Sequence, residues 1–293
     1  MKKAYVFAAI SILLWSTLAT VSKLLMEQLS SYTVLCVSAL FAFAALLVTN
    51  IATGKIKLLG SYRLRDIVCI ILIGLPGTFL YYVFLYGGTD RMLASQAFII
   101  NYLWPVMSVV FACILLKESM TARKIAAIAL SFLGVITVAG GELLHFNSRT
   151  LVGAVLCVLA AVSYGAFTAL NKKWSYDKNI SMMLAFFAAF LLSLPMALAD
   201  GDALRLSWPQ VLGLGWNGLG VMAIATTTWA IALDRGNTAT ISNLAYITPF
   251  LSLVWTYLFL DEIPGIWSAG GLCLIVIGIF IQLKGKNKEL QTQ

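Results

Sequence analysis

Charge is scarce in this chain. Of 293 residues only 11% are Asp, Glu, Lys or Arg, against 61% hydrophobic ones, where an ordinary soluble domain carries about 25% charged residues. A water-exposed fold needs a charged skin, and twenty basic plus twelve acidic residues do not make one at this length. Histidine is limited to His145, and Cys36, Cys69, Cys113, Cys157 and Cys273 fall one to an apolar segment, with no CxxC spacing and no Cys/His cluster. These absences exclude a disulfide framework and a sequence-encoded metal site, and the thiols read as small hydrophobic groups; no metal and no cofactor is expected. No polar linker or low-complexity run interrupts the chain, which excludes an inserted soluble domain. The apolar stretches are continuous rather than alternating, which argues against a membrane β-barrel.

What is present is a series of apolar runs, roughly 4–25, 31–53, 66–86, 92–116, 122–140, 151–171, 180–199, 208–233, 238–260 and 265–283. Each is close to the ~20 residues that a spanning helix requires. Lys2-Lys3 followed by an apolar run resembles a secretion signal, but the run is long enough to span and lacks a small-x-small cleavage site, so a retained first helix is expected. With the N-terminus inside, Lys2, Lys3, Lys55, Lys57, Arg63, Arg65, Lys117, Arg123, Lys124, Lys172, Lys173, Lys178, Arg235, Lys284, Lys286 and Lys288 fall on the cytoplasmic side. Only Lys23, Arg91, Arg149 and Arg205 fall outside. The positive-inside bias therefore places both termini in the cytoplasm, in a cell (inner) membrane. The formal charge of +8 is topological in this setting, and no nucleic-acid partner is expected. The lipid bilayer is the partner; oligomeric state is not readable.

The chain also resembles itself. At an offset of 144, Gly74 aligns with Gly218, Asp90 with Asp234, Arg91 with Arg235, Pro105 with Pro249, Glu118 with Glu262 and Gly134 with Gly278. At 149, Trp15 aligns with Tyr164 and Lys23 with Lys172. Five helices per half is an odd number, so the second half crosses in the opposite sense. The expected fold is an all-α polytopic membrane protein of ten transmembrane helices, built as two inverted five-helix repeats over 1–145 and 146–293. Inverted repeats can exchange conformations and open a site at their interface to one side and then the other, which points to transport of a small-molecule substrate.

Trp15-Ser16-Thr17, Asn101-Tyr102-Leu103-Trp104-Pro105, Leu116-Lys117-Glu118 and Tyr246-Ile247-Thr248-Pro249 with Asp261-Glu262 resemble the drug/metabolite transporter superfamily. Within it they are similar to the EamA-type exporters, and the Asn-Tyr-Leu-Trp-Pro run most resembles the aromatic amino acid exporter (YddG-like) branch. The resemblance covers essentially the whole chain. It implies ten helices, cytoplasmic termini, a cavity lined by helices 1, 3, 4, 6, 8 and 9, and export of amino acids or related hydrophobic metabolites.

The residues themselves indicate where such a cargo would sit. Pro105 in the fourth run has no N–H, so the Asn101 carbonyl loses its helical partner, and within a bilayer it must be satisfied by protein, water or cargo. The Asn101 amide, Trp104 and Ser108 follow on what reads as one face. Substrate contact and a packed kink with Asn101 bridging helices are both open. Pro249 does the same in the ninth run, with Tyr246, Thr248 and Ser252 beside it. Trp15 and Tyr164 are repeat mates at mid-membrane and suit stacking or cation–π contact across a cavity, or plain packing. Tyr81 and Tyr82 read as nearer the outer end and Trp229 as nearer the inner, suiting belt, packing or a cavity mouth. Pro76, with Gly74, Gly77 and the glycines at 213–220, marks helices that bend. Gly153, Cys157, Ala161, Gly165 and Ala169 form a small-residue stripe suited to close helix contact.

All twelve acids lie near predicted helix ends. An intramembrane acid is the usual proton relay and the usual partner of a cationic drug, so its absence argues for neutral or zwitterionic cargo without tight proton coupling. It argues against the rival reading, a multidrug or cationic compound:proton antiporter. A sugar-phosphate carrier would want several deep basic residues, and an integral membrane enzyme would want paired acids, a metal cluster or an activated nucleophile. Neither set is present, so no catalytic residues are assigned. Asp90-Arg91 and Asp234-Arg235 read as helix-end ion pairs or caps, with gating as the other reading.

Overall fold

The structure, a computed structural model, describes residues 2–143, 148–235 and 244–289, excepting the side chains at 2, 139–143, 202, 233, 234, 246 and 282–289. All regular structure among the described residues is helical. In chain order the helices are α1 (Lys2–Ser16), α2 (Leu18–Met26), α3 (Ser31–Ala52), α4 (Leu64–Gly74), α5 (Phe79–Thr89), α6 (Ala94–Asn101), α7 (Trp104–Leu115) and α8 (Ala122–Leu143). They continue as α9 (Ser148–Lys173), α10 (Lys178–Asp200), α11 (Trp208–Gly215), α12 (Ala225–Arg235), α13 (Thr248–Leu260) and α14 (Ile266–Glu289). Seven stretches are long and apolar enough to cross a bilayer: Lys3–Met26, Ser31–Ala52, Leu64–Thr89, Ala94–Leu115, Ser148–Lys173, Lys178–Asp200 and Trp208–Ala232. Thr248–Leu260 and Ile266–Ile281 are shorter apolar helices. Exposed Val48, Leu64, Leu212, Leu258 and Ile266 would face water in a soluble protein; against hydrocarbon they need no cover. The chain is a multi-pass membrane protein.

Helix ends follow ordinary capping chemistry. The Ser30 hydroxyl accepts from the Thr33 amide at 3.1 Å, and the Asp177 carboxylate accepts from the amides of Asn179 (3.0 Å) and Ile180 (3.1 Å) at the start of α10. Gly54 and Gly201 close α3 and α10 in the left-handed region, at φ 69° and 77°, where a Cβ is unfavourable. Asp177 also meets Lys55 at 2.9 Å. Partial burial alone would raise its carboxyl, but the ammonium and the two capping amides outweigh that and hold it below the ordinary carboxylate range. A depressed native value stabilises at neutral pH and is lost as pH falls through it. Asp177→Ala is therefore expected to cost about 1 kcal/mol in detergent melting at pH 7, with the gap from wild type narrowing below about pH 4. Asp177→Asn, still a competent cap, should lose less.

Five interruptions punctuate the long helices. At Thr17 the amide turns to Leu14 at i−3 (3.2 Å), and the Ser16 and Thr17 hydroxyls bond back to the carbonyls of Leu13 and Leu14, both at 2.8 Å. Pro76 sits in a single 3₁₀ turn, Leu75–Gly77, between α4 and α5. Tyr102 and Leu103 separate α6 from α7, with Pro105 at the second position of α7. A π-helical segment, Trp216–Ile224, joins α11 to α12. A 3₁₀ turn, Ala245–Ile247, leads into α13, whose second residue is Pro249. The prolines account for three interruptions by withholding an N–H.

Two bundles share the core. In one, α9 packs against α5, α6 and α7; in the other, α1 packs against α12 and α13; α3 lies on α10 and α8 on α14. The small-residue stripe of α9 is buried throughout. A Cβ on Gly165 would lie 2.6 Å from Met107 Cβ and 2.8 Å from the Ser108 amide nitrogen, and one on Gly153 3.1 Å from the Gly88 carbonyl oxygen. The stripe is what lets α9 touch its neighbours' backbones.

Candidate functional site

The breaks in the helices concentrate polar groups among aromatic ones. On the α5–α6–α7–α9 side, Asn101 ends α6 and is 4% exposed. Its Nδ2 donates to the Tyr81 hydroxyl at 3.0 Å, while its Oδ1 is buried with no hydrogen-bond partner. The Tyr81 ring lies 4.9 Å from that of Tyr164, which meets Trp104 edge-on at 5.1 Å. Tyr82 is in contact with Tyr81 at 4.8 Å and with Tyr86 at 5.3 Å. Ser163 secures the break in the neighbouring helix by donating to the Pro76 carbonyl at 2.7 Å.

On the α1–α12–α13 side, Trp15 and Trp229 hold each other at 5.2 Å. The interruption of the first helix is clamped by two indoles: Trp255 Nε1 donates to Ser16 Oγ at 2.9 Å, and Trp216 Nε1 to Thr17 Oγ1 at 2.8 Å. Thr248 opens α13 and is buried. Its hydroxyl lies beside the Tyr102 side chain but outside hydrogen-bonding geometry, leaving Oγ1 without a partner. Buried polar atoms without partners are uncommon in folded proteins; two of them here lie at repeat-related helix breaks.

Several sequence expectations need adjustment. Trp104 and Ser108 lie one turn apart in α7, whereas Asn101 ends α6 on the other side of the two-residue break. Ser108 donates to the Trp104 carbonyl at 2.9 Å, so its proton is committed within the helix. The bridging expected of Asn101 is present, through Tyr81, a residue that the sequence reading put at the outer end of its helix. Tyr82 stands one ring further back. Trp15 and Tyr164 take ring partners within their own bundles. The Tyr246 side chain and His145 lie outside the described residues. Asp90 meets Arg91 at 3.8 Å and Arg149 at 3.6 Å. Asp234 has its side chain outside the described residues, and Arg235 instead lies 5.6 Å over the Phe7 ring. Among the described residues no group of three or more His, Cys, Asp or Glu could hold a metal ion.

The acidic turns carried more than their sequence announced. Lys117 and Asp261, 144 residues apart, are the non-glycine residues with positive φ (58° and 52°) among those described. Each directs the next amide back six residues: Glu118 N–H to Ala112 at 3.4 Å, Glu262 N–H to Thr256 at 3.3 Å. With matching backbones the two carboxylates take different partners. Glu118 meets Lys172 at 3.1 Å and Lys124 at 3.5 Å. Glu262, only 8% exposed, accepts from the amides of Ala94 (2.9 Å) and Ser95 (2.8 Å) at the start of α6.

A helical membrane chain with interrupted helices and uncharged, aromatic-lined breaks has the character of a small-molecule carrier, and comparison with known proteins agrees. The model of the EamA-like transporter family matches residues 2–140 and again residues 151–283. The chain belongs to that family, consistent with the drug/metabolite transporter superfamily. It is 25% identical to an uncharacterized transporter of Archaeoglobus fulgidus over 95% of this chain and 96% of the relative. It is 29% identical to a protein of Streptantibioticus cattleyicolor named a probable terminal-alkyne amino-acid exporter (78% of each chain). To a protein of Ancylobacter novellus named aromatic amino acid exporter YddG it is 24% identical (83% of each chain). A crystal structure matches with a TM-score of 0.68 at 21% identity, covering 95% of this chain and 97% of the other, which shows a shared fold.

Proposed function

We propose that this protein exports amino acids with aromatic or other hydrophobic side chains across the inner membrane by alternating access, without tight proton coupling. In this reading the chain forms ten spans in two inverted repeats, 1–145 and 146–293, with both termini cytoplasmic. The double family match and the packing support it. Exchanging each helix for its counterpart one repeat along turns the α5–α9 contact into α1–α12 and α7–α9 into α1–α13, and returns α3–α10 and α8–α14 to themselves. The two relatives named as amino acid exporters support the cargo class.

The observation that carries the reading is the unpartnered Asn101 Oδ1 at a broken helix, next to the Tyr81–Tyr164–Trp104 group. The end of α6, with Asn101 Oδ1, suits an ammonium group. The rings supply an apolar, stackable wall for the side chain, which Trp15, Trp229 and Thr248 of the other bundle would complete. Trp104, Tyr164, Asn101 and Thr248 are the proposed substrate contacts, with Ser108, Tyr82 and Tyr246 at their edge. Pro76, Pro105 and Pro249 mark the hinges.

The test is release of labelled phenylalanine, tyrosine, tryptophan and leucine from proteoliposomes holding the purified protein. Saturable efflux of the aromatic amino acids down their own gradient, at the same rate with and without an imposed pH difference, is the expected result. Absence of efflux for all four would remove the cargo assignment. Efflux that requires the pH difference would remove the uncoupled mechanism.

A further inference from the structure

We infer that Lys23 and Glu262 form a two-charge clamp that holds the outer mouth of the carrier shut and must release in every cycle. The clamp closes on one short piece of chain, the turn from the end of α5 to the start of α6. Lys23, near the end of α2, donates to the carbonyls of Thr89 at 2.7 Å and Met92 at 3.1 Å. Glu262, from the far half of the sequence, accepts from the amides of Ala94 and Ser95. The signs are correct for both helix ends: a cation sits on the carbonyl terminus of α5 and an anion on the amide terminus of α6. Glu262 thereby ties the outer end of α13 to the first half of the chain.

Packing places closure at the same level. The outer segments α2 and α13 both contact α6, and every residue of α6 is buried. Glu118 has a backbone that matches that of Glu262, and among the described residues its carboxylate meets the Lys172 and Lys124 side chains. A carboxylate capping two buried amides is stronger than a neutral hydrogen bond, and breaking it shifts the balance between states by roughly 5- to 150-fold.

This clamp rests on the orientation and alternating access proposed above, so the experiment separates them and does not depend on cargo. In a background with the five native cysteines replaced, Ser252→Cys reports access between Thr248 and the outer turn, because Ser252 is buried here at 4% exposure. The probe is a membrane-impermeant maleimide applied to sealed, right-side-out vesicles. Weak labelling is expected in the otherwise unaltered clamp. Glu262→Gln is expected to raise it at least about fivefold, as is Lys23→Met independently, and Glu118→Gln should not. Equal labelling with and without both clamp variants overturns the proposal; if Glu262→Gln fails to accumulate folded, Lys23→Met decides it alone. A separate Arg205→Cys reporter on the predicted outer turn, exposed here, tests orientation. Labelling from outside supports it, and labelling only after the vesicles are opened rejects the orientation and with it this outer clamp.

Discussion

Asn101→Ala is expected to raise the half-saturation concentration for efflux by roughly 10- to 100-fold while leaving the helical content unchanged. The side chain does two jobs. Nδ2 holds the Tyr81 hydroxyl at 3.0 Å, and Oδ1 is a buried acceptor without a hydrogen-bond partner. Alanine removes the acceptor that would meet the cargo ammonium and strands the Tyr81 hydroxyl. A lost buried hydrogen bond to a charged group, or an orphaned partner, costs about 1–3 kcal/mol, and each 1.4 kcal/mol is tenfold in affinity. Tyr81→Phe separates the contributions: it deletes the bridge but keeps Asn101, so it should weaken transport by about tenfold or less. A double-mutant cycle in half-saturation then isolates the bridge. If Asn101→Ala transports with wild-type half-saturation, Asn101 is a helix bridge only.

Gly165→Ala should lower both stability and transport, although alanine is the better helix former by about 1 kcal/mol. The new methyl would sit 2.6 Å from Met107 Cβ and 2.8 Å from the Ser108 nitrogen. Part of the obstacle is main chain rather than a flexible tip, so α7 as a whole must withdraw from α9. Overpacking of this kind costs about 1–3 kcal/mol, and the withdrawal acts directly on the edge-on contact between Trp104 and Tyr164. A net fall in detergent melting temperature of several degrees is expected, together with at least tenfold slower efflux. Gly270→Ala is the control. There a Cβ meets nothing closer than Thr137 Cγ2 at 3.9 Å, and activity should hold.

Much of the fold was legible because the apolar runs and their punctuation are one-dimensional signals. Among the described residues the helices follow the hydrophobic runs, the start of the ninth run lying outside them, and Pro105 and Pro249 marked two breaks through chemistry local to one residue. The interruption at Thr17 was not legible. No glycine or proline lies there, and the hydroxyls of Ser16 and Thr17 are held by Trp255 and Trp216, contacts made 239 and 199 residues away. The π segment at Trp216–Ile224 was visible only as a cluster of glycines. The partners of Tyr81, Asn101 and Tyr164, were not legible because they come from other helices. Of the proposed site, Asn101, Trp104, Tyr164 and Trp15 stand out by residue chemistry alone. Their division into two separate groups, Trp15 with Trp229 and Tyr164 with Trp104 and Tyr81, depends on tertiary packing that no periodicity encodes. The capping of the Ala94 and Ser95 amides by Glu262 was invisible for the same reason: it joins residues far apart in the sequence.

That third helical stretch and its counterpart are built unlike one another: Pro76 tightens one by a 3₁₀ turn, while the other loosens into nine π-helical residues. Halves that bend by different means do not trade places at zero energy, so the carrier is expected to dwell longer facing one compartment. Apparent affinity scales with the fraction of molecules competent to bind, and half-saturation will accordingly differ between the two faces. For an uncoupled carrier the ratio of maximal velocity to half-saturation must nevertheless be the same in either direction, since otherwise cargo would accumulate without a driving force. In an uncoupled carrier such lopsided architecture would set the speed and the working concentration, and the gradient alone the direction of flow.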